Sequence, residues 1–195
     1  MEVIIKNYGT MTYLVLFLIV FCETGLIVTP ILPGDSLLFV AGAIASRGLL
    51  DIRLLILLIS FAAIIGDMVN YTVGRLFGVQ LFKTESRFLK KSYIEKTHTL
   101  FEKYGNKAIV LCRFVPIVRT FTPFIAGFGQ MHYGKFMVYN IVGGTAWALI
   151  FLLGGFYFGE LPVIKQSLTL TIIGIVFLSM LPMFIEIFRA KRRAA

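Results

Sequence analysis

Arg113 and Arg119 stand in KAIVLCRFVPIVRTFTPFIAG (residues 107–127), a stretch otherwise apolar enough for a bilayer and interrupted by Pro116 and Pro123. A guanidinium at membrane depth is a fixed cation with a planar fork of donors, suited to holding an anion. A second interrupted segment, CETGLIVTPILPGDSLLFVAG (residues 22–42), carries acids instead, with Glu23 and Asp35 flanking Pro30, Pro33 and Gly34. A third acid, Asp67, lies inside the apolar run 54–78. Irregular backbone at membrane depth persists only where protein buries it or where it lines a cavity. Each intramembrane charge costs about 2.5 to 3.5 kcal/mol on insertion scales, so the five together would cost over roughly 10 kcal/mol unpaired. Pairing or function must offset that cost, and cations in one broken segment with acids in another point to a carrier of something charged.

The elements that position these groups follow from the hydropathy pattern. Of 195 residues, 58% are apolar and only 15% are charged, which sets the chain apart from soluble domains. Four or five passes of about 20 residues each would occupy half of it. We read one membrane domain over 1–195, divided into a first hairpin with its spans (1–82), an amphipathic segment (83–106), a second hairpin with its spans (107–188) and a basic tail (189–195). Residues 11–29 form the first span. Residues 30–45 are too short and too broken to cross as a helix, and a re-entrant hairpin fits them better. Residues 54–78 give the second crossing, 136–158 a third and 167–188 a fourth, kinked at Pro182. Between them, Leu89, Tyr93, Leu100, Phe101 and Tyr104 recur near helical spacing, with Ser92 and Glu95 as a capping pair and Gly105 as a stop. The fold class is an all-α integral membrane protein with about four full crossings, two re-entrant hairpins and a cytoplasmic amphipathic helix.

Charge placement orients the chain. The net charge is +9, yet seven of 19 basic residues lie between Lys83 and Lys107 and four more close the chain at Arg189, Lys191, Arg192 and Arg193. Such loops orient spans and adhere to anionic lipid, which replaces any nucleic-acid reading. With the tail cytoplasmic, both termini are cytoplasmic, and alternation puts 13 basic residues inside against Arg47, Arg53 and Lys165 outside. The two hairpins then enter from opposite sides, the logic of an inverted repeat with a site between its halves. Ala41-Gly42 echoes Ala126-Gly127, and Gly74-x-x-x-Gly78 echoes Gly155-x-x-x-Gly159, pairs that read first as close helix packing. Cys22 and Cys112 lie in apolar stretches, so neither a disulfide nor a zinc site is expected. His98 and His132 have no metal-ligand spacing, and no cofactor is implied.

Four blocks in order, Glu23 with PILPGDSLLFVAG, then GDMVNYTVGRLFG, then RFVPIVRTFTPFIAG, then Asn140 and Trp147, resemble the DedA family of bacterial inner-membrane proteins, related to eukaryotic VTT-domain scramblases. The resemblance covers nearly the whole chain. It implies a helical fold with two re-entrant hairpins and a role in returning lipid carriers, chiefly undecaprenyl phosphate, across the cytoplasmic membrane with a link to the proton-motive force. It also implies that Glu23, Asp35, Arg113 and Arg119 are functional; some members carry Glu where this chain has Asp35.

The chemistry of the residues agrees with that implication. A phosphate head group cannot cross hydrocarbon unaided because of the cost of desolvating its charge. Arginine grips phosphate oxygens in a bidentate manner and stays protonated in a dry site. On an unbroken helix Arg113 and Arg119 would be about 600° apart and face different ways. Pro116 breaks that register, and we expect both guanidinium groups to converge on one cavity. Glu23, Asp35 and Asp67 are expected to pair with the arginines or to take up protons when phosphate displaces them. Asp67 equally suits a hydrogen-bonding role at a hairpin, as do Asn70 and Tyr71. Arg75 is expected to snorkel, and Trp147 to pack or anchor at an interface. Pro30, Pro33, Gly34, Pro116, Pro123 and Gly127 are read as hairpin-shaping.

Two other classes compete with the carrier. A lipid phosphatase would need a histidine beside the arginines, and neither histidine is placed for it, so no enzyme is expected. A proton-coupled ion or small-molecule antiporter or a passive scaffold would not need phosphate-gripping arginines, and a general phospholipid scramblase is the alternative nearest to the carrier. The expected partners are an anionic polyprenyl phosphate or phospholipid, protons and membrane lipid, and a homo-oligomer is compatible with them.

Overall fold

The computed structural model describes residues 9–26, 34–83, 99, 101–115 and 118–159, and among these it is helical with no strand. The helices are α1 (Gly9–Gly25), α2 (Gly34–Ala45), α3 (Ile52–Lys83), a 3-10 turn (Gly105–Lys107), α4 (Ala108–Cys112), α5 (Val118–Phe128) and α6 (Tyr133–Gly159). Ile52–Phe77 within α3 and Tyr133–Gly159 are both long and apolar enough to cross a membrane. Both also turn large apolar side chains outward, among them Leu57, Phe61 and Leu76 on α3 and Val138, Val142 and Ile150 on α6. Apolar surface of that extent is what a lipid-facing helix presents. The crossing expected at 136–158 therefore begins three residues earlier. Tips of both proposed hairpins (Pro30, Pro33, Pro116), most of the 83–106 segment with His98, and the 167–188 span with the basic tail lie outside the described residues.

Two compact units make up the described chain. One contains α2 and the end of α6 from Leu149; the other contains α1 from Thr10, α3 from Ile56, α4, α5 and α6 up to Ala148. Each is built around a helix crossing so close that only glycine fits. In the first, a Cβ on Gly42 would lie 2.1 Å from the Leu152 carbonyl oxygen, and one on Gly155 would lie 1.9 Å from that of Phe39. In the second, a Cβ on Gly127 would lie 2.0 Å from the Tyr71 carbonyl oxygen, and one on Gly74 would lie 2.1 Å from that of Phe124. The offset is the same: in both crossings each glycine follows, by three residues, the carbonyl that its opposite number would strike. The echoes in the sequence are thus two copies of one packing device, with α2 against α6 in one unit and α5 against α3 in the other.

Local signals set the helix ends. Asp51 precedes α3, and its Oδ1 accepts from the backbone N–H of Leu54 at 3.0 Å and of Arg53 at 2.7 Å, an N-cap. These N–H groups, Leu54 first, hold the Asp51 carboxyl below its ordinary range. With the folded-state value lowered, this cap stabilises fully above the unfolded pKa of about 4 and is lost as pH falls through the folded value. A thermal-melting series should show that acid loss in the wild type and lose that component in Asp51→Asn, which caps without titrating. Gly105 takes φ +57 and ends the helical residues 101–104, as its stop role requires.

Pro123 departs from expectation. It does not break its segment but sits inside α5. An interior proline forfeits one backbone bond and costs about 3 kcal/mol. Residues 120–127 of this helix are all buried, including Phe121, Phe124 and Ile125, and that packing outweighs the lost rung. The break between the two arginines lies before α5: α4 stops at Cys112, and Arg113 and Phe114 form a turn.

Candidate functional site

The second unit brings the charged residues together. Gly66 lies on α3 just before Asp67, and a Cβ there would be 1.9 Å from Thr24 Oγ1, so glycine lets the end of α1 settle onto α3. Arg113, in the turn after α4, donates from Nη1 to Asp67 Oδ2 and, at 3.0 Å, to Asn140 Oδ1. Asn140 is oriented in turn by its own donation to the Ile64 carbonyl at 3.0 Å. The Arg113 side chain runs beside Gly143 and Gly144 of α6, where a Cβ on Gly144 would come within 3.5 Å of its Nη2. Arg119, at the start of α5, donates from Nη2 to Glu23 Oε1 near the end of α1.

Between the pairs stands Trp147. The guanidinium carbons of Arg113 and Arg119 lie 5.8 Å and 5.2 Å from its ring centroid, within cation–π range. One indole thus holds two like charges at a single place, and two carboxylates cancel them. The four groups are shielded from solvent, Arg119 the least so: its side chain is 12% exposed, against 2% for Glu23 and about 5% for Arg113 and Asp67. The cavity that Asp67, Arg113 and Arg119 line with Thr24, Thr122 and Trp147 measures about 10 Å³, room for a single water.

Both arginines therefore meet in one cavity, as the break in register predicts. Glu23 takes Arg119, and the acid that takes Arg113 is Asp67. Asp35 stands half-buried in the first turn of α2, in the other unit, where Gly34 opens the helix. Gly127 serves the α5–α3 crossing. Trp147 is not an interfacial anchor: it is 1% exposed and faces two cations. Nothing in its own apolar neighbourhood signals this, because both partners come from a segment about thirty residues upstream. For Asn140 the sequence offers a polar side chain in an apolar crossing and a place in the family resemblance, neither of which names Arg113 as its partner.

Long apolar-faced helices around a buried, charge-compensated cluster define a helical membrane protein with its ionisable groups held inside. The family is then clear, for residues 32–157 match the VTT domain, and the chain belongs to the DedA family of VTT-domain membrane proteins. It is 53% identical over 195 residues to the protein DedA of Escherichia coli (strain K12), covering 98% of this chain and 89% of that one. An uncharacterized membrane protein of Mycobacterium tuberculosis (strain ATCC 25618 / H37Rv) is 43% identical over 92% of the chain and 81% of its own length. The inner membrane protein YqjA of Escherichia coli (strain K12) is 37% identical over 78% of the chain and 70% of its own length. No solved structure matches the chain.

Proposed function

We propose that this protein is a carrier of the bacterial inner membrane that moves polyprenyl phosphate, undecaprenyl phosphate in particular, across the bilayer in exchange for an internal ion pair. The observation that carries this reading is the convergence of Arg113 and Arg119 on the Trp147 ring, each neutralised by its own carboxylate. Asp67 lies about three-fifths of the way along Ile52–Phe77, roughly 15 Å from the nearer end at 1.5 Å per residue. That is mid-bilayer depth, where a phosphate most needs fixed cations. At about 18 Å and 16 Å, α2 and α5 are each too short to cross a core of about 30 Å, as re-entrant segments would be.

The two pairs have different jobs. Arg113 is fixed by Asp67, Asn140 and Trp147 and is the anchor. Arg119 is the more exposed, and Glu23 is the group that phosphate displaces. Four charges that sum to zero become an excess negative charge when an anion enters, and a proton on Glu23 restores neutrality. This ties anion movement to protons without an enzymatic step.

The test is translocation of polyprenyl phosphate between leaflets of proteoliposomes with and without an imposed pH gradient. Wild type should respond to the gradient, and Glu23→Gln should translocate with that response lost. A Glu23→Gln variant with undiminished gradient dependence would remove Glu23 from coupling, and no translocation by the wild type would remove the carrier reading.

A further inference from the structure

We infer that Asn70 is the positioning residue of the exchangeable pair, an inference that rests on reading Arg119 as the phosphate-binding group. Its Nδ2 donates to the Thr24 carbonyl at 3.1 Å and to the Thr120 carbonyl at 2.7 Å. Those carbonyls belong to the residues that directly follow Glu23 and Arg119. One amide therefore ties the end of α1 to the start of α5 at the point where their charges meet. Asn70 lies three residues after Asp67 on α3, so the two share a helix face. That face holds Arg113 through a side chain and the other pair through its backbone.

The chemistry of the amide supports a dedicated role. Asn70 is fully buried, and turning its amide over would set an acceptor against two carbonyl oxygens, so the two donations fix its orientation. Its Oδ1 is buried and receives no hydrogen bond among the described residues. A leucine, with the same branched outline, would bury no unsatisfied acceptor. What leucine cannot do is bridge the two carbonyls. When phosphate draws Glu23 away from Arg119, the Asn70 bridge keeps both backbones in place and the pair re-forms on release.

Trp147 is the single tryptophan of the chain and lies against both arginines, so its emission reports on this site alone. The experiment uses purified full-length wild type, Asn70→Leu and Asn70→Gln, each with and without Glu23→Gln. Acrylamide quenching of Trp147 is measured first, then emission during titration with decyl phosphate. Asn70→Leu should raise the quenching constant about two-fold and weaken decyl phosphate binding about ten-fold, the loss of roughly one charge-adjacent hydrogen bond. Asn70→Gln, which keeps the amide, should recover part of both. In the Glu23→Gln background the Asn70→Leu effect on quenching should shrink towards zero, because no pair is left to position. Wild-type quenching and affinity in Asn70→Leu, or an effect of equal size in both backgrounds, would overturn the inference. Should Asn70→Leu fail to fold, Asn70→Ala carries the same comparison. Wild type that ignores decyl phosphate sinks the phosphate reading instead, and the quenching comparison still decides the role of Asn70.

Discussion

Glu23→Gln/Arg119→Gln is expected to fold as the wild type does and to translocate polyprenyl phosphate at least about 100-fold more slowly. The magnitude follows from the contacts removed: hydrogen bonds to a charged group contribute about 1.5 to 3 kcal/mol each, and a guanidinium gives phosphate two. Every 1.4 kcal/mol is about ten-fold in affinity, so losing both amounts to roughly 100-fold or more. Replacing both partners matters because Arg119→Ala alone would leave Glu23 buried without its cation. Arg113→Ala tests the anchor and should behave differently. It strands Asp67 in a site with almost no solvent and strips a partner from Asn140, so it should cost about 3 to 5 kcal/mol of stability as well as transport. Adding Asp67→Asn should restore the melting temperature but not translocation. Transport within a few-fold of wild type in the Glu23→Gln/Arg119→Gln protein would exclude Arg119 from phosphate binding. A stable, active Arg113→Ala would exclude Arg113 as the anchor.

An equally large effect is expected on folding at the glycine crossings. Gly42→Val, Gly74→Val, Gly127→Val and Gly155→Val should each prevent accumulation of folded protein or lower its melting temperature by more than about 10 °C. Their Cβ atoms would lie 1.9 to 2.1 Å from a backbone oxygen, and two helix backbones must part for any side chain to fit. Even alanine should be poorly tolerated there, since the obstructing atom is main chain and cannot rotate away. Gly9→Ala, with nothing within 4 Å, should be neutral. Because the two crossings are built alike, the four substitutions should fall in one range; melting of the purified variants by tryptophan fluorescence measures it. Tolerance at one crossing with failure at the other would mean that only one of the two close packings is needed for the fold.

Comparing α3, α5 and the charged cluster shows which physics was local. The crossings at α3 and α6 were legible because apolar runs of that length specify a spanning helix whatever surrounds it. The break between Arg113 and Arg119 was legible too, since proline acts on its own backbone. By the same rule Pro123 should have ended α5, and there the tertiary burial of Phe121, Phe124 and Ile125 overrode a local cost of a few kcal/mol. The residues of the cluster announced themselves because charge in an apolar run is costly and needs a reason.

Their partners did not announce themselves. That Arg113 takes Asp67 and Asn140, that Arg119 takes Glu23, that Trp147 lies against both arginines and that Asn70 bridges two backbones are facts about residues 27 to 96 positions apart. Periodicity and propensity reach only a few turns along the chain, so no sequence pattern encodes such pairings. By itself the sequence determined a membrane helix protein with stranded charges and paired glycine motifs. Only the tertiary structure decided which charge answers which, because that depends on how closely helices approach, and around these charges the missing side chains of Gly66, Gly74 and Gly127 set the distance.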